Sequence, residues 1–165
     1  MNGKGLIVLC VWITVLMSRA ACEAEPLPGK AFPDAVGWAA YTQGGRGGRI
    51  IRVTNLNAAG PGSFAEAVRA GGPRIVVFEV AGVIDLAGRS IGIDEPFVTI
   101  AGQTAPSPGI TFVRGGLGIH THDVILQHVR VRPGEAGRPK KSGWEIDAIA
   151  TSGPDACNII VDHCS

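Results

Sequence analysis

Apolar and polar residues alternate in short runs along this chain, with the two-residue period of strands rather than the longer period of helices. The runs predict strands over residues 50–54, 74–80, 83–86, 97–101, 110–113, 123–132, 146–150 and 158–162. Gly, Pro, Asp or Asn separates nearly all of them, as turns between strands require. One segment departs from the pattern. Ser63 with Glu66 three positions later forms a capping box, which predicts a helix running to about Ala70 and stopped by Gly71-Gly72-Pro73. Phe64, Ala67 and Val68 make its apolar face, and its place before the run of strands suits it to cover an open sheet end.

The strongest apolar centres, Val77, Ile100, Ile125 and Ile160, lie 23, 25 and 35 residues apart, with weaker strands between them. A repeat of this length with several short strands per turn predicts a solenoid, and with these strands a parallel β-helix. An antiparallel sandwich also has many short strands, so periodicity alone leaves both open.

Composition supports short strands and tight turns. The 165 residues suffice for one domain, aromatics are only 5%, and there are 24 glycines and 11 prolines. A formal net charge of +1 argues against broad nucleic-acid binding, which needs a basic excess. Lys4, the apolar run 6–17 and the small residues around Ser18-Arg19-Ala20-Ala21 predict a secretory signal peptide over residues 1–24. Twelve apolar residues are too few for a membrane span. Lipidation at Cys22 is disfavoured by Arg19, which stands where an aliphatic residue is expected. Residues 25–165 then form the mature domain, starting with a proline-rich extended lead-in over 25–33.

Cys157 and Cys164 are separated by roughly 23 Å if the chain between them is extended, too far to bond each other. Two buried thiols are therefore expected. The glycine-rich stretch from Tyr41 to Arg49 suggests a phosphate cradle or an RNA-binding tract only superficially. No Gly-Lys-Ser/Thr follows and no helix opens after it, so it is expected to be a plain turn.

The densest chemistry lies between Ser142 and Ser165. Glu145 and Asp147 sit two apart in an alternating segment with Trp144, Ile146 and Ala148, which predicts both carboxylates on one face of a strand. Taken alone they are solvated acids, because two carboxylates do not make a calcium site. His120 and His122 have same-face spacing but no third ligand in view, and are expected to be turn histidines. His128 and the Asp162-His163 pair are expected to be structural. Arg130 and Arg132 share a strand face and are expected to pair with Glu135, Glu145 or Asp147. No Gly-x-Ser-x-Gly elbow is present to support a serine nucleophile.

Several motifs together resemble the N-terminal part of secreted bacterial pectate lyases, in order and over nearly all of residues 31–165. They are Ala31-Phe32-Pro33, Ala40-Tyr41-Thr42 with Gly44-Gly45-Arg46-Gly47-Gly48, Val53-Thr54-Asn55-Leu56-Asn57, and Gly60-Pro61-Gly62-Ser63. Further on come Ile100-Ala101-Gly102-Gln103-Thr104-Ala105-Pro106, Val131-Arg132-Pro133-Gly134, Asp147-Ala148-Ile149, and Ile160-Val161-Asp162-His163-Cys164-Ser165.

The resemblance implies an all-β protein, a right-handed single-stranded parallel β-helix of the pectin lyase-like kind, with the short helix at its N-terminal end. It also implies calcium-dependent β-elimination on polygalacturonate, the acidic backbone of pectin, by a secreted monomeric enzyme. By the same resemblance Asp147 aligns with a calcium ligand, and Glu145 stands at a second acidic position with a longer reach than aspartate. The family's arginine base and further calcium ligands correspond to later coils, so no catalytic residue is assigned here. The chain is thus expected to be a truncated N-terminal portion, inactive alone and poorly ordered near Ser165.

Two other uronate-acting β-helix enzymes remain as alternatives. A pectin lyase would not need calcium, and a polygalacturonase-like hydrolase would need aspartates placed for acid and base work. A non-catalytic β-helix, an adhesin or carbohydrate-binding surface protein, is the alternative from a different class.

Overall fold

A computed structural model describes residues 29–135, 138–139 and 145–165. The expected signal peptide, residues 25–28 of the lead-in and Trp144 lie outside the described residues. The described chain runs through β1 (Arg49–Val53), α1 (Phe64–Arg69), β2 (Arg74–Phe78), β3 (Gly82–Asp85), β4 (Ile91–Ile93) and β5 (Val98–Ala101). It continues through β6 (Ile110–Val113), β7 (Leu117–Ile119), β8 (Val124–Gln127), β9 (Val129–Arg132), β10 (Ile149–Thr151) and β11 (Ile159–Asp162). A 3-10 turn, Gly102–Thr104, follows β5.

These strands form three sheets, ordered β1-β2-β5-β8-β11, β3-β6-β9 and β4-β7-β10. Every pairing is parallel. Three successive coils each contribute one strand to each sheet, which is a parallel β-helix and not a sandwich. The register Ile50↔Ile75↔Thr99↔Ile125↔Ile160 gives coil lengths of 25, 24, 26 and 35 residues. The last coil is longer because residues 133–148 separate β9 from β10, where the two earlier coils use five and three residues at the same place.

The core is built by stacking like residues on like, one coil above the next. Val76, Ile100 and Leu126 are in register and buried, as are Ile84, Phe112 and Val131, and Ile93 with Ile119. Each such aliphatic side chain contributes about 1.5–3 kcal/mol by leaving water.

The helix closes one end of this stack. Ser63 Oγ accepts a hydrogen bond from the Glu66 amide at 3.3 Å, while the Glu66 carboxylate accepts from the Gly62 amide at 2.6 Å. The reciprocal contact thus falls one residue upstream of the usual capping box. Phe64, Ala65, Ala67 and Val68 are buried, and the Phe64 ring packs on Phe78 and Phe112 with centroids 5.9 and 4.7 Å apart. Phe64→Ala is expected to lower unfolding free energy by about 3–5 kcal/mol, because it leaves a cavity where the helix meets the first coil. A urea titration followed by circular dichroism tests this, and a loss under about 1 kcal/mol would argue against the plug.

Four sequence-based expectations need correction. The run 123–132 is two strands, β8 and β9, because His128 between them adopts a left-handed backbone with φ 55° and turns the chain from one sheet to the next. β4 and β7 were not expected, since Ile-Gly-Ile and Leu-Gly-Ile are too short to show a period. Residues 145–148 precede strand β10 rather than lying in it. Cys157 is disulfide-bonded and Cys164 is a free thiol that is only half-buried, so the expectation of two buried thiols fails at Cys157 and is met at Cys164 only as far as the free thiol. Burial pushes the Cys164 thiol up from its ordinary pKa, which favours its protonated form.

The glycine-rich loop does more than turn. A Cβ at Gly45 would lie 1.8 Å from the Arg74 carbonyl oxygen, and one at Gly48 would lie 2.1 Å from that of Pro73. Only glycine lets this backbone lie directly on β2. Thr42 Oγ1 lies 2.9 Å from both Asp123 Oδ1 and the Asn158 carbonyl, and the Gln43 amide donates to Asp123 at 3.1 Å. The loop therefore packs on β2 and β5 through its glycines and fastens the starts of β8 and β11 through the buried Asp123 carboxylate and the Asn158 carbonyl.

On the outside of the β3-β6-β9 sheet, Arg114 donates two hydrogen bonds to Asp85, at 2.7 and 2.6 Å. These bonds hold the Asp85 carboxyl below its ordinary pKa. Because the folded value is the lower one, this contribution is complete above the usual carboxylate range and is lost as pH falls through the folded value. An NMR titration should show Asp85 protonating at higher pH in Arg114→Gln than in the parent; identical midpoints would refute the pairing.

Candidate functional site

The sheet β4-β7-β10 carries an open groove of about 360 Å³ on its outer face. Its floor is low because Gly92, Gly118 and Ala150 are in register across the three strands. His120 and Asp94 lie over that floor. A Cβ at Gly118 would meet His120 Nε2 at 2.7 Å, and one at Gly92 would meet Asp94 Oδ2 at 2.8 Å. The imidazole is fixed by a 2.7 Å contact between His120 Nδ1 and Asp94 Oδ1.

Glu145 and Asp147 line this groove together with Ser90, Ile91 and His120. Sequence alternation anticipated that the two carboxylates would share a side. They do so from an irregular segment in which Glu145 and Asp147 are exposed while Ile146 and Ala148 are partly buried. The segment is tied down where the Leu117 amide donates to the Ala148 carbonyl at 2.9 Å and where β10 pairs with β7. Gly116 lies against the Asp147 carbonyl, too close for any side chain, with a 2.2 Å approach to a would-be Cβ. Two acidic side chains are thereby presented from a fixed backbone.

Neither carboxylate has a hydrogen-bond or ion-pair partner among the described residues. Unpaired carboxylate oxygens are hard donors and fit a cation such as calcium, whose remaining coordination sites can be taken by water or carbonyls. A soft-metal site is not what this donor set favours.

The histidines divide in a way that sequence spacing did not reveal. His120 belongs to the groove, whereas His122 pairs with Asp123 at 2.9 Å and meets Phe97 edge-on at 5.1 Å. The two rings therefore serve different partners and are not joint ligands. Asp94 was missed altogether, since a single aspartate in the Ile-Asp-Glu-Pro turn carries no local signal. Arg130 and Arg132 depart from expectation as well. Arg130 donates to Thr111 Oγ1 at 2.9 Å and to the Pro108 carbonyl, and Arg132 donates to Ser165 Oγ at 3.1 Å. Among the described residues neither pairs with Glu135, Glu145 or Asp147, because β9 faces away from the groove in a different sheet.

A second cluster was expected to be purely structural. His128, Asp162 and His163 come together where β8 and β11 end. Gln127 Nε2 donates to Asp162 Oδ2 at 2.9 Å, and the Gln127 oxygen accepts from Gln103 at 3.3 Å, so a ladder of polar side chains climbs the coils to Asp162.

No protein-family profile matches the chain. Among curated proteins it is 43% identical over 136 residues to probable pectate lyase C of Aspergillus flavus, covering 82% of this chain and 30% of the relative. The match to probable pectate lyase C of Aspergillus oryzae has the same identity and coverage. To that of Aspergillus fumigatus it is 40% identical over 152 residues, covering 92% of this chain and 34% of the relative. The chain thus spans about a third of the length of the curated relatives it matches. These relatives are fungal, whereas the motifs resemble those of bacterial enzymes. Over most of its own length, then, this chain is homologous to proteins named pectate lyase.

Proposed function

We propose that these coils belong to a secreted lyase that cleaves polygalacturonate by calcium-dependent β-elimination, with Asp147 and Glu145 as calcium ligands. The observation that carries this reading is the pair of carboxylates, unpartnered among the described residues, that lines a groove together with His120. The names of the homologues support the reaction class.

The reaction requires removal of a weakly acidic proton beside a uronate carboxyl group. Bound calcium would supply the positive charge that neutralises that carboxyl group and acidifies the neighbouring carbon. Asp147 and Glu145 are anchored by β10 and the Leu117–Ala148 hydrogen bond, so they hold two negative charges at the groove's rim. Without a cation those charges would repel an anionic sugar chain. Gly92 and Gly118, lacking side chains, leave room for Asp94 and His120 to lie across the sheet and face the groove. Asp94 orients His120 so that Nε2 remains over the floor, available as a hydrogen-bond partner for a sugar hydroxyl. No residue of the described groove is assigned as the base.

The same reading makes residues 1–24 a signal peptide, residues 25–165 coils of one β-helix domain, and the secreted protein a monomer. No helix among the described residues is long and apolar enough to cross a membrane.

The test is an assay of the secreted gene product on polygalacturonate, with calcium and with a chelator, following ultraviolet absorbance of the unsaturated product. Absorbance that rises only with calcium is expected. New saturated reducing ends would instead indicate a hydrolase, and activity on methylated pectin without calcium a pectin lyase. No release from either substrate would leave a carbohydrate-binding β-helix. Glu145→Gln is expected to raise the calcium needed for half-maximal activity about tenfold, since affinity at such sites follows ligand charge. An unchanged calcium requirement would remove Glu145 from the ligand set.

A further inference from the structure

We propose that His128, Asp162 and His163 form a second metal site, selective for a late first-row divalent ion such as zinc and separate from the calcium groove. The three residues each offer one ligand atom, and these atoms lie within 4.8 Å of one another. None of the three lines the groove, and they sit at the ends of β8 and β11 in the β1-β2-β5-β8-β11 sheet rather than on β4-β7-β10.

The fold brings them together through register. Gln127 and Asp162 are partners in the β8–β11 pairing, and the His128 amide donates to the Asp162 carbonyl at 3.1 Å. His128 and His163 therefore occupy the same corner of successive coils. Both have left-handed backbones, with φ 55° and 51°, so their side chains leave the corner in the same direction. Their rings lie 4.7 Å apart and nearly parallel, at 17°. A left-handed histidine is uncommon, and two stacked ones repeat it at equivalent positions.

The donor set is chemically distinct from that of the groove. Two imidazoles and one carboxylate suit zinc, nickel or copper, whereas calcium prefers oxygen alone. Asp162 is already oriented. Its Oδ2 accepts from Gln127 at 2.9 Å, and its Oδ1 lies 2.8 Å from His163 Nδ1. The Gln127 contact is the outer-shell support that metal-binding carboxylates commonly have. These contacts also hold the Asp162 carboxyl below its ordinary pKa, Gln127 being the larger cause, which keeps it anionic. Metal–nitrogen bonds of about 2.0–2.1 Å require the three atoms to close up, and the two exposed rings can rotate to do so. A bound ion would then clamp β11 to β8 across the longest coil.

The experiment is a titration of the metal-free secreted protein with cobalt, read by visible absorption, followed by displacement with zinc. One equivalent of cobalt is expected to bind with the absorption of a nitrogen- and oxygen-ligated ion, and zinc to abolish it. His128→Gln and His163→Gln should each eliminate the signal. Gln127→Ala should weaken binding about tenfold by freeing the carboxylate. His120→Gln, His122→Gln and the Glu145→Gln/Asp147→Asn double variant should bind as the parent does. Circular dichroism of each variant separates loss of ligand from loss of fold. For a variant that fails to fold, imidazole shifts of His128 and His163 in the parent on zinc addition provide the readout. Absence of stoichiometric cobalt binding, or binding that survives both histidine variants, or loss only in the Glu145/Asp147 variant, would overturn the proposal.

Discussion

Arg74→Met is expected to lower the unfolding free energy by about 3–5 kcal/mol, because it leaves several carbonyls without their donor at roughly 1–3 kcal/mol for each one that stays buried. Arg74 is the first residue of β2 and is fully buried despite its charge. Its guanidinium donates to four carbonyls: Val68 at 2.6 Å, Pro96 at 2.9 Å, and Gly72 and Glu95 at 3.1 Å. Val68 is in the last turn of α1, so one side chain ties the plugging helix, the turn that ends it and the approach to β5. Burial lowers the guanidinium pKa from its ordinary value, but arginine starts so high that the group remains charged. Nε, buried and without a partner among the described residues, is the one part of the group that gains nothing.

Methionine would fill much of the volume and leave four carbonyls without their donor. Arg74→Lys should recover little, because one ammonium cannot span carbonyls arranged for a planar fork. Equilibrium urea unfolding measures both. A loss below about 1 kcal/mol in Arg74→Met would mean that water replaces the guanidinium, and the fastening role would be wrong. The expected cost is a large share of the roughly 5–15 kcal/mol that holds an ordinary domain folded.

Asp147→Asn is expected to have the largest functional effect, on the proposal that this carboxylate binds calcium. Removing one full charge from an oxygen-ligand site should weaken calcium binding about 100-fold, more than Glu145→Gln, whose longer side chain constrains the ion less. Lyase activity at limiting calcium should fall by a similar factor and return as calcium is raised. Asp147 is exposed, so stability should change by no more than about 0.5 kcal/mol. Together these outcomes separate a ligand from a structural residue. Calorimetry with calcium gives the affinity directly, and an Asp147→Asn protein with the parent's calcium dependence would leave the groove without its metal.

The architecture was largely legible because its cause is local. Alternation over 110–113 is copied without change in β6, and the spacing of Val77, Ile100, Ile125 and Ile160 anticipated the stack of coils. Solenoid coils repeat because each must bury the same face against the next, so a physical repeat leaves a sequence repeat. The helix was legible for a similar reason: Ser63, Glu66 and Gly71 mark its ends with side chains that act within one turn. The shared side of Glu145 and Asp147 was anticipated from alternation, even though their segment is not a strand.

What escaped the sequence was decided by corners and register. Phe97, Asp123, His128, Asn158 and His163 all take left-handed backbones, yet only asparagine and aspartate among these types signal it. The bend is imposed by closure of the coil, so the residue identity does not reveal where a strand breaks, and β8 and β9 looked like one element. The same holds for contacts between residues far apart in the chain. Asp94 meets His120, Thr42 meets Asp123, and His128 meets His163 only because coils of 24 to 35 residues place them side by side. The sequence by itself determined the strands, the helix ends and the repeat, since those depend on neighbours within a few residues. Only the tertiary structure decided which charges are buried, which histidines meet and where a groove opens, because those depend on the number of residues in each coil.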